Sequence, residues 1–146
     1  MSNLPVFGVI LGDHAGIGPE IVIKALLQGD SSYIPLLIGS RKHFEKSLGI
    51  VKGSGRIKIL PSDGRPDKAI ADTVYFYDVE AGDDIQFSKI NADSGKLILN
   101  SIVSAIDLEK SGVVDGIFMA PITKQALHAA GHGYSSENEI FKEQYG

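Results

Sequence analysis

Residues 6–27, "VFGVILGDHAGIGPEIVIKALL", contain the pattern from which the fold of this chain is predicted. The apolar run over residues 6–11 is typical of a strand that is buried on both faces, as strands of parallel sheets are. A glycine-rich loop follows, and then apolar residues recur at helical spacing. Pro19 suits the first helical position, with Gly18 as the cap before it. The stretch therefore predicts a strand, a loop and a helix, in that order.

The rest of the chain repeats this alternation. Strand patterns cover residues 33–39, 56–60, 73–79 and 116–121, and helical patterns cover residues 40–49, 91–111, 123–131 and the last dozen residues. Pro35 indicates that the second strand lies at a sheet edge or begins irregularly, whereas the run at 116–121 is typical of a short buried strand. The alternation predicts the α/β class, a layered αβα arrangement with a mostly parallel sheet. We treat residues 1–146 as one domain.

Composition excludes several classes of protein. The net charge is −4 and the basic residues are scattered, which argues against a nucleic-acid partner. There is no cysteine, so disulfides, thiolate metal sites and a cysteine nucleophile are excluded. The apolar run near the N-terminus is too short for a signal or membrane helix. We expect a cytoplasmic protein without a membrane partner.

Two loops are candidates for a common site. Ligands of parallel sheets bind at the carboxyl ends of strands, and the segments "GDHAGIGPE" (12–20) and "APITKQ" (120–125) both come directly after predicted strands. If those strands are parallel, the two loops share one edge. Asp13 could either cap its own loop or point into the cleft. His14 could titrate near neutral pH, although a surface position is favoured, and His43 fits a helix surface.

Nucleotide-binding loops do not match the glycine-rich segment. The dinucleotide fingerprint needs a third glycine where the chain has Ile21, and the phosphate loop of nucleotide hydrolases needs Gly-Lys-Ser/Thr where it has Gly-Pro-Glu. From composition alone, the glycines could equally serve only backbone conformation and packing. His128 and His132 have the spacing of metal ligands on a helix, but Gly131 is expected to end the helix between them, which argues against a metal site.

Three segments resemble one enzyme family, that of the 4-hydroxythreonine-4-phosphate dehydrogenases. "GDHAGIGPEIVIKAL" (12–26) is similar to its N-terminal signature, Gly-Asp/Glu-Pro-Ala-Gly-Ile-Gly-Pro-Glu, with His14 in place of the first proline. "MAPITKQALHAAGHGYSSENEIF" (119–141) resembles the family segment that runs from Ala-Pro-x-x-Lys to Gly-His-Thr-Glu, and "NADSGKLILNSI" (91–102) resembles the helix before it. The three segments occur in the family's order over the whole chain.

This resemblance implies an isocitrate/isopropylmalate dehydrogenase-like fold, incomplete here because family members are considerably longer. It also implies a homodimer, a divalent metal ion, and NAD or NADP as the oxidant in a pathway of pyridoxine biosynthesis. The family oxidises and decarboxylates a phosphorylated hydroxy acid, and related members act on D-threonate or D-erythronate 4-phosphate. The rival interpretation is a degenerate, non-catalytic module for small-ligand binding or dimerisation.

The same resemblance assigns the site residues. Lys124 is the catalytic candidate because it could reach substrate oxyanions, and Glu137 and Asn138 occupy the positions of the family's substrate-binding His and Thr. An ionised Glu137 would repel an anionic substrate by roughly 1 kcal/mol or more. Asp13 and His14 complete the predicted substrate-binding set. The metal-binding histidines and most cofactor contacts of the family come after the last residue of this chain, so we expect no metal ligand here, leave the cofactor-binding residues unassigned, and expect the isolated chain to be inactive.

Overall fold

The structure, a computed structural model, describes residues 4–146. Five strands form one sheet: β1 (Val6–Ile10), β2 (Ile34–Gly39), β3 (Lys58–Pro61), β4 (Thr73–Asp78) and β5 (Gly116–Met119). Five helices accompany them: α1 (Gly18–Gln28), α2 (Arg41–Leu48), α3 (Ala92–Lys110), α4 (Lys124–Ala129) and α5 (Glu137–Tyr145). The strand order is β3-β4-β2-β1-β5, and every neighbouring pair is parallel. The predicted α/β class and parallel sheet are confirmed.

The sheet lies between two helix layers. Leu36 and Ile38 of β2 point into a core cluster that includes the buried faces of α3 and α4. Leu37, between them, points the other way into a cluster with residues of α1 and α2, among them the buried Phe44. Successive side chains of a strand point to opposite faces, so one strand contributes to both cores. The αβα layering predicted from the sequence is confirmed.

Helix α3 crosses the sheet and contacts β1, β2 and β5. It begins where the sequence predicts, because the side chain of Asn91 accepts the backbone N–H of Ser94 at 3.0 Å and so caps the helix. Its buried face includes Leu97, Ile98 and Ile102. This helix forms the floor on which α4 and α5 pack.

Three details differ from the expectations. Strand β2 is central, and Pro35 is tolerated there because Ile34 donates to the β1 side, while pairing with β4 begins only at Leu36. Strand β5 is a sheet edge and not buried, since Phe118 is 52% exposed. Helix α1 begins one residue early, with Pro19 at its second position. Among residues 4–146, no helix combines the length and apolar character needed to cross a bilayer.

Candidate functional site

The connections of two neighbouring strands leave the carboxyl edge of the sheet toward opposite faces, and the region between these connections is called the crevice below. Strand β1 leads through residues 11–17 to α1, whose buried side chains belong to one core cluster. Strand β5, its neighbour, leads through residues 120–123 to α4, whose buried side chains belong to the other cluster. Adjacent parallel strands whose connections leave to opposite faces create the crevice in which α/β proteins bind ligands.

The two connections touch at the base of this crevice. The backbone N–H of Asp13 donates to the carbonyl oxygen of Pro121 at 3.1 Å. Gly12 has a φ of +74°, and a methyl group there would lie 2.8 Å from the carbonyl oxygen of Ala120 and closer still to that of Pro121. Gly18 is also needed, because a methyl group would overlap the carbonyl oxygen of Leu11 and lie 3.2 Å from that of Pro121. The prediction that both loops share one edge is therefore confirmed.

Asp13 holds the glycine-rich loop in shape. Its side chain is 3% exposed, and its Oδ1 accepts the backbone N–H of Ala15 at 2.9 Å. Its carbonyl oxygen accepts the N–H of Gly16 at 3.0 Å, which closes the turn. This is the capping role open to aspartate in turns. A contact between Asp13 and substrate stays a prediction.

His14 turns away from β5 and toward the end of β2. The favoured expectation, a surface histidine, is wrong, since the residue is 3% exposed and its Nε2 accepts the backbone N–H of Ser40 at 3.2 Å. Burial, and then the neighbouring His43, lower the pKa of His14 to about 3. His43 is also buried rather than on the helix surface, with its Nδ1 2.7 Å from the hydroxyl oxygen of Ser40. A role of His14 in substrate binding stays a prediction.

Lys124, Glu137 and Asn138 lie in the helices that follow β5 in the chain. Lys124 is the exposed first residue of α4, while the half-buried Glu137 and the exposed Asn138 form the first turn of α5. The pKa of the Glu139 carboxyl, in the same helix turn, is lowered mainly by hydrogen bonds from Ser135, and the positive charge of Lys124 lowers it further. Of the predicted site residues, Asp13 thus contacts the β5 connection through its backbone, whereas His14 lies at the end of β2.

Glu139 is a structural residue that the sequence analysis left without a role. Its carboxylate accepts the backbone N–H of Ser135 at 2.8 Å and also the hydroxyl of Ser135. These bonds close the chain just before α5, which begins after Ser136. Ser136 and Glu139 have the spacing of a capping box, which could have identified Glu139, but the bonds that form join Glu139 to Ser135 and not to the N-cap Ser136. Glu139 therefore positions the helix turn that carries Glu137 and Asn138.

Among the described residues, no side-chain cluster suits a metal ion, and the start of α1 does not suit the pyrophosphate of a dinucleotide. Among residues 4–146, no three or more His, Asp or Glu side chains are grouped so as to hold a metal, and Nε2 of His128 lies 3.0 Å from the carbonyl oxygen of Tyr134. At the start of α1, Pro19 supplies no N–H, and the carboxylate of Glu20 stands in the first turn. An anionic pyrophosphate is disfavoured there. We assign no metal or cofactor ligand in this chain.

Dehydrogenases share this architecture. The crystal structure of a 4-hydroxythreonine-4-phosphate dehydrogenase from Burkholderia phymatum superposes with a TM-score of 0.87 and 33% identity, covering 98% of this chain and 44% of that one. The enzyme of the same name from Klebsiella pneumoniae gives 0.87 and 29%, covering 98% and 45%. The fold is thus a dehydrogenase-like α/β fold.

The chain belongs to the family of the pyridoxal phosphate biosynthetic protein PdxA, whose model matches residues 31–146. The D-threonate 4-phosphate dehydrogenase of Cupriavidus necator is 30% identical over 141 residues, which cover 94% of this chain and 42% of that protein. The chain spans less than half the length of these relatives. The family resemblance inferred from the three segments is confirmed.

Proposed function

We propose that this chain forms the N-terminal part of a dehydrogenase that oxidises a phosphorylated hydroxy acid. One observation carries the proposal: nearly the whole chain aligns with a D-threonate 4-phosphate dehydrogenase and superposes on 4-hydroxythreonine-4-phosphate dehydrogenases. The crevice between the β1 and β5 connections is where the fold would place part of the substrate site. The alternative substrate is D-threonate or D-erythronate 4-phosphate in place of 4-hydroxythreonine 4-phosphate.

The reaction removes a hydride from the carbon that bears the secondary alcohol and a proton from its oxygen, and the resulting β-keto acid releases carbon dioxide. NAD or NADP would accept the hydride. In this proposal the ammonium group of Lys124 binds a substrate oxyanion at the edge of the crevice, in a charge-assisted hydrogen bond. The conformation of the glycine-rich loop, held by Asp13, keeps the floor of the crevice in place.

Glu137 sets the substrate preference in this proposal. The resemblance places a histidine of the family at this position, and the structure leaves Glu137 half-buried in the first turn of α5. An ionised carboxylate there disfavours an anionic group of the substrate, whereas a histidine could donate a hydrogen bond to it. We infer that Glu137 weakens binding of phosphorylated hydroxy acids relative to histidine.

The homodimer, the divalent metal ion and the cytoplasmic location belong to the same proposal at the level of the whole dehydrogenase. No three or more His, Asp or Glu side chains in residues 4–146 are grouped so as to hold this metal. The rival function is a non-catalytic module that binds a small ligand or dimerises, and the replacement of the family's His and Thr by Glu137 and Asn138 favours it.

A chimera tests the proposal. In the Cupriavidus necator D-threonate 4-phosphate dehydrogenase, the matching segment is replaced by residues 1–146 of this chain, and NADH formation from D-threonate 4-phosphate and from 4-hydroxythreonine 4-phosphate is measured. We expect activity with at least one substrate, and a folded chimera that is inactive with both supports the non-catalytic module. Within the chimera, Lys124→Met should lower kcat/KM by roughly tenfold to a hundredfold, because a charge-assisted contact is lost.

A control and a second variant accompany this experiment. Lys52→Met removes an exposed lysine from the turn after α2, away from the crevice, and should leave kcat/KM unchanged. Glu137→His should lower KM for the phosphorylated substrate with little change in kcat. An unchanged KM would contradict the role given to Glu137, and equal losses from Lys124→Met and Lys52→Met would contradict that given to Lys124.

A further inference from the structure

A small cavity at the carboxyl end of β2 is lined by two buried histidines, and each of them has a ring nitrogen buried without a hydrogen-bond partner among residues 4–146. The cavity has a volume of about 190 Å³, several times the roughly 30 Å³ that one water occupies. His14 and His43 line its inner wall, with ring centroids 5.9 Å apart. Within residues 4–146, Nδ1 of His14 and Nε2 of His43 have no hydrogen-bond partner. Buried polar atoms in folded proteins nearly always have one, so this wall is suited to a polar ligand.

Ser40 contacts both rings and determines the tautomer of a neutral His14. Its backbone N–H donates to Nε2 of His14, so a neutral His14 carries its proton on Nδ1 and presents an N–H donor. The Ser40 hydroxyl contacts Nδ1 of His43 at 2.7 Å. When that hydroxyl donates, His43 carries its proton on Nε2 and presents a second donor. Burial, followed by Lys46 and Lys42, lowers the pKa of His43, while Asp83 acts in the opposite direction.

The other lining residues, 85–87, belong to the segment after β4, and this segment is bonded to the neighbouring elements. The backbone N–H of Ser88 donates to the carbonyl oxygen of Ala15 at 2.7 Å, and it does so with a φ of 62°, a conformation that serine adopts uncommonly. Lys42 forms an ion pair with Asp83. Both contacts tie the segment after β4 to the elements that carry His14 and His43. The cavity is thus bounded by fixed segments on both sides.

The mouth of the cavity supplies one positive charge and apolar surface. Lys46 and Gln86 are exposed at the mouth, and Ile85 and Phe87 complete the lining. Two unpartnered ring nitrogens buried in the cavity wall, with an exposed lysine at the mouth, match a ligand that accepts hydrogen bonds and carries negative charge.

The tautomer of His14 argues against a metal ion. A metal would need an unprotonated Nδ1, and this would place the His14 proton on Nε2, facing the N–H of Ser40. An oxyanion needs no such rearrangement.

We propose that the cavity between His14, His43 and Lys46 binds a small oxyanion, either a phosphate or a carboxylate group. This site is at the end of β2, two strands away from β5, and it is separate from the substrate site of the dehydrogenase proposed above. The N–H groups of His14 and His43 donate to the anion oxygens, and the ammonium group of Lys46 balances the charge.

NMR of the ¹⁵N-labelled 146-residue chain tests the proposal. The ring ¹⁵N signals of His14 are expected to report a proton on Nδ1 before any ligand is added. Inorganic phosphate and acetate are titrated separately, with sodium chloride as the control for ionic strength. We expect saturable shifts of the His14 and His43 ring signals with phosphate, with acetate, or with both, and the stronger binder identifies the group. A His14 proton on Nε2 overturns the proposal.

Two variants make the test specific. Lys46→Met should weaken anion binding by roughly threefold to tenfold, while Lys52→Met, which removes a lysine outside the cavity, should leave it unchanged. Both side chains are exposed, so neither variant should impair folding. Shifts no larger than those with sodium chloride show that water alone occupies the cavity and overturn the proposal, as do shifts caused by Zn²⁺ and by neither anion.

Discussion

Replacing Gly12 by alanine tests the junction between the β1 and β5 connections. The φ of +74° costs an alanine about 1 kcal/mol. The added methyl group would also lie 2.8 Å from the carbonyl oxygen of Ala120 and overlap that of Pro121. Separating the two connections to relieve this overlap costs about 1–3 kcal/mol more. We therefore expect Gly12→Ala to reduce the free energy of unfolding by about 2–4 kcal/mol, which at about 2–4 °C per kcal/mol lowers Tm by roughly 10 °C.

Two matched variants separate the contributions in urea unfolding. Gly29 has the same φ of +74° but nothing within 4 Å of an added methyl group, so Gly29→Ala should show the conformational cost alone. Gly16 has no positive φ, and the nearest contact of its added methyl is 3.6 Å, so Gly16→Ala should be nearly neutral. If Gly12→Ala costs no more than Gly29→Ala, the close approach of the two connections is refuted.

Three further predictions concern pH and packing. Hydrogen bonds from Arg65 and from the backbone N–H of Val6 lower the pKa of the Asp115 carboxyl. The ionised carboxylate therefore stabilises the fold above about pH 4, and this stabilisation is lost as the pH falls further. Asp115→Asn should flatten the acid side of a curve of unfolding free energy against pH, and an unchanged curve would refute this. Burial lowers the pKa of His14 to about 3, so below pH 6.5 the unfolded chain protonates this histidine while the folded chain does not. The free energy of unfolding should therefore fall by roughly 3 kcal/mol from pH 6.5 to pH 4. His14→Gln should lack most of this loss, and an identical loss in the variant would contradict the burial of His14. Phe44 is fully buried, so Phe44→Ala should cost about 3–5 kcal/mol in urea unfolding, and a cost under about 1 kcal/mol would be incompatible with this core.

The order and type of the elements could be predicted because the signals are local. The apolar run before Gly12, the helical spacing after Pro19 and the helical pattern over residues 91–111 each depend on residues close together in the chain. The shared edge of the two loops could also be predicted, since it follows from parallel strands alone.

The strand neighbours and the histidine cavity could not be predicted from such signals. An apolar run has the same pattern in a central strand and in an edge strand. The sequence therefore predicts a buried strand around Phe118, which is half-exposed, and an edge position or irregular start at Pro35, which lies in a central strand. His14 and Ser40 are 26 residues apart and meet only because β1 and β2 are neighbours in register. Burial of a polar side chain depends on such tertiary contacts, which no short motif encodes.

The crystal structure of the active chimera with bound D-threonate 4-phosphate is the most direct measurement of the proposed function. The substrate is expected at the carboxyl edge of the sheet, between the connections of β1 and β5, with a substrate oxygen within hydrogen-bond distance of the Lys124 ammonium group. Substrate bound elsewhere, with no contact to residues 12–18 or 120–124, would contradict the assignment of the catalytic crevice.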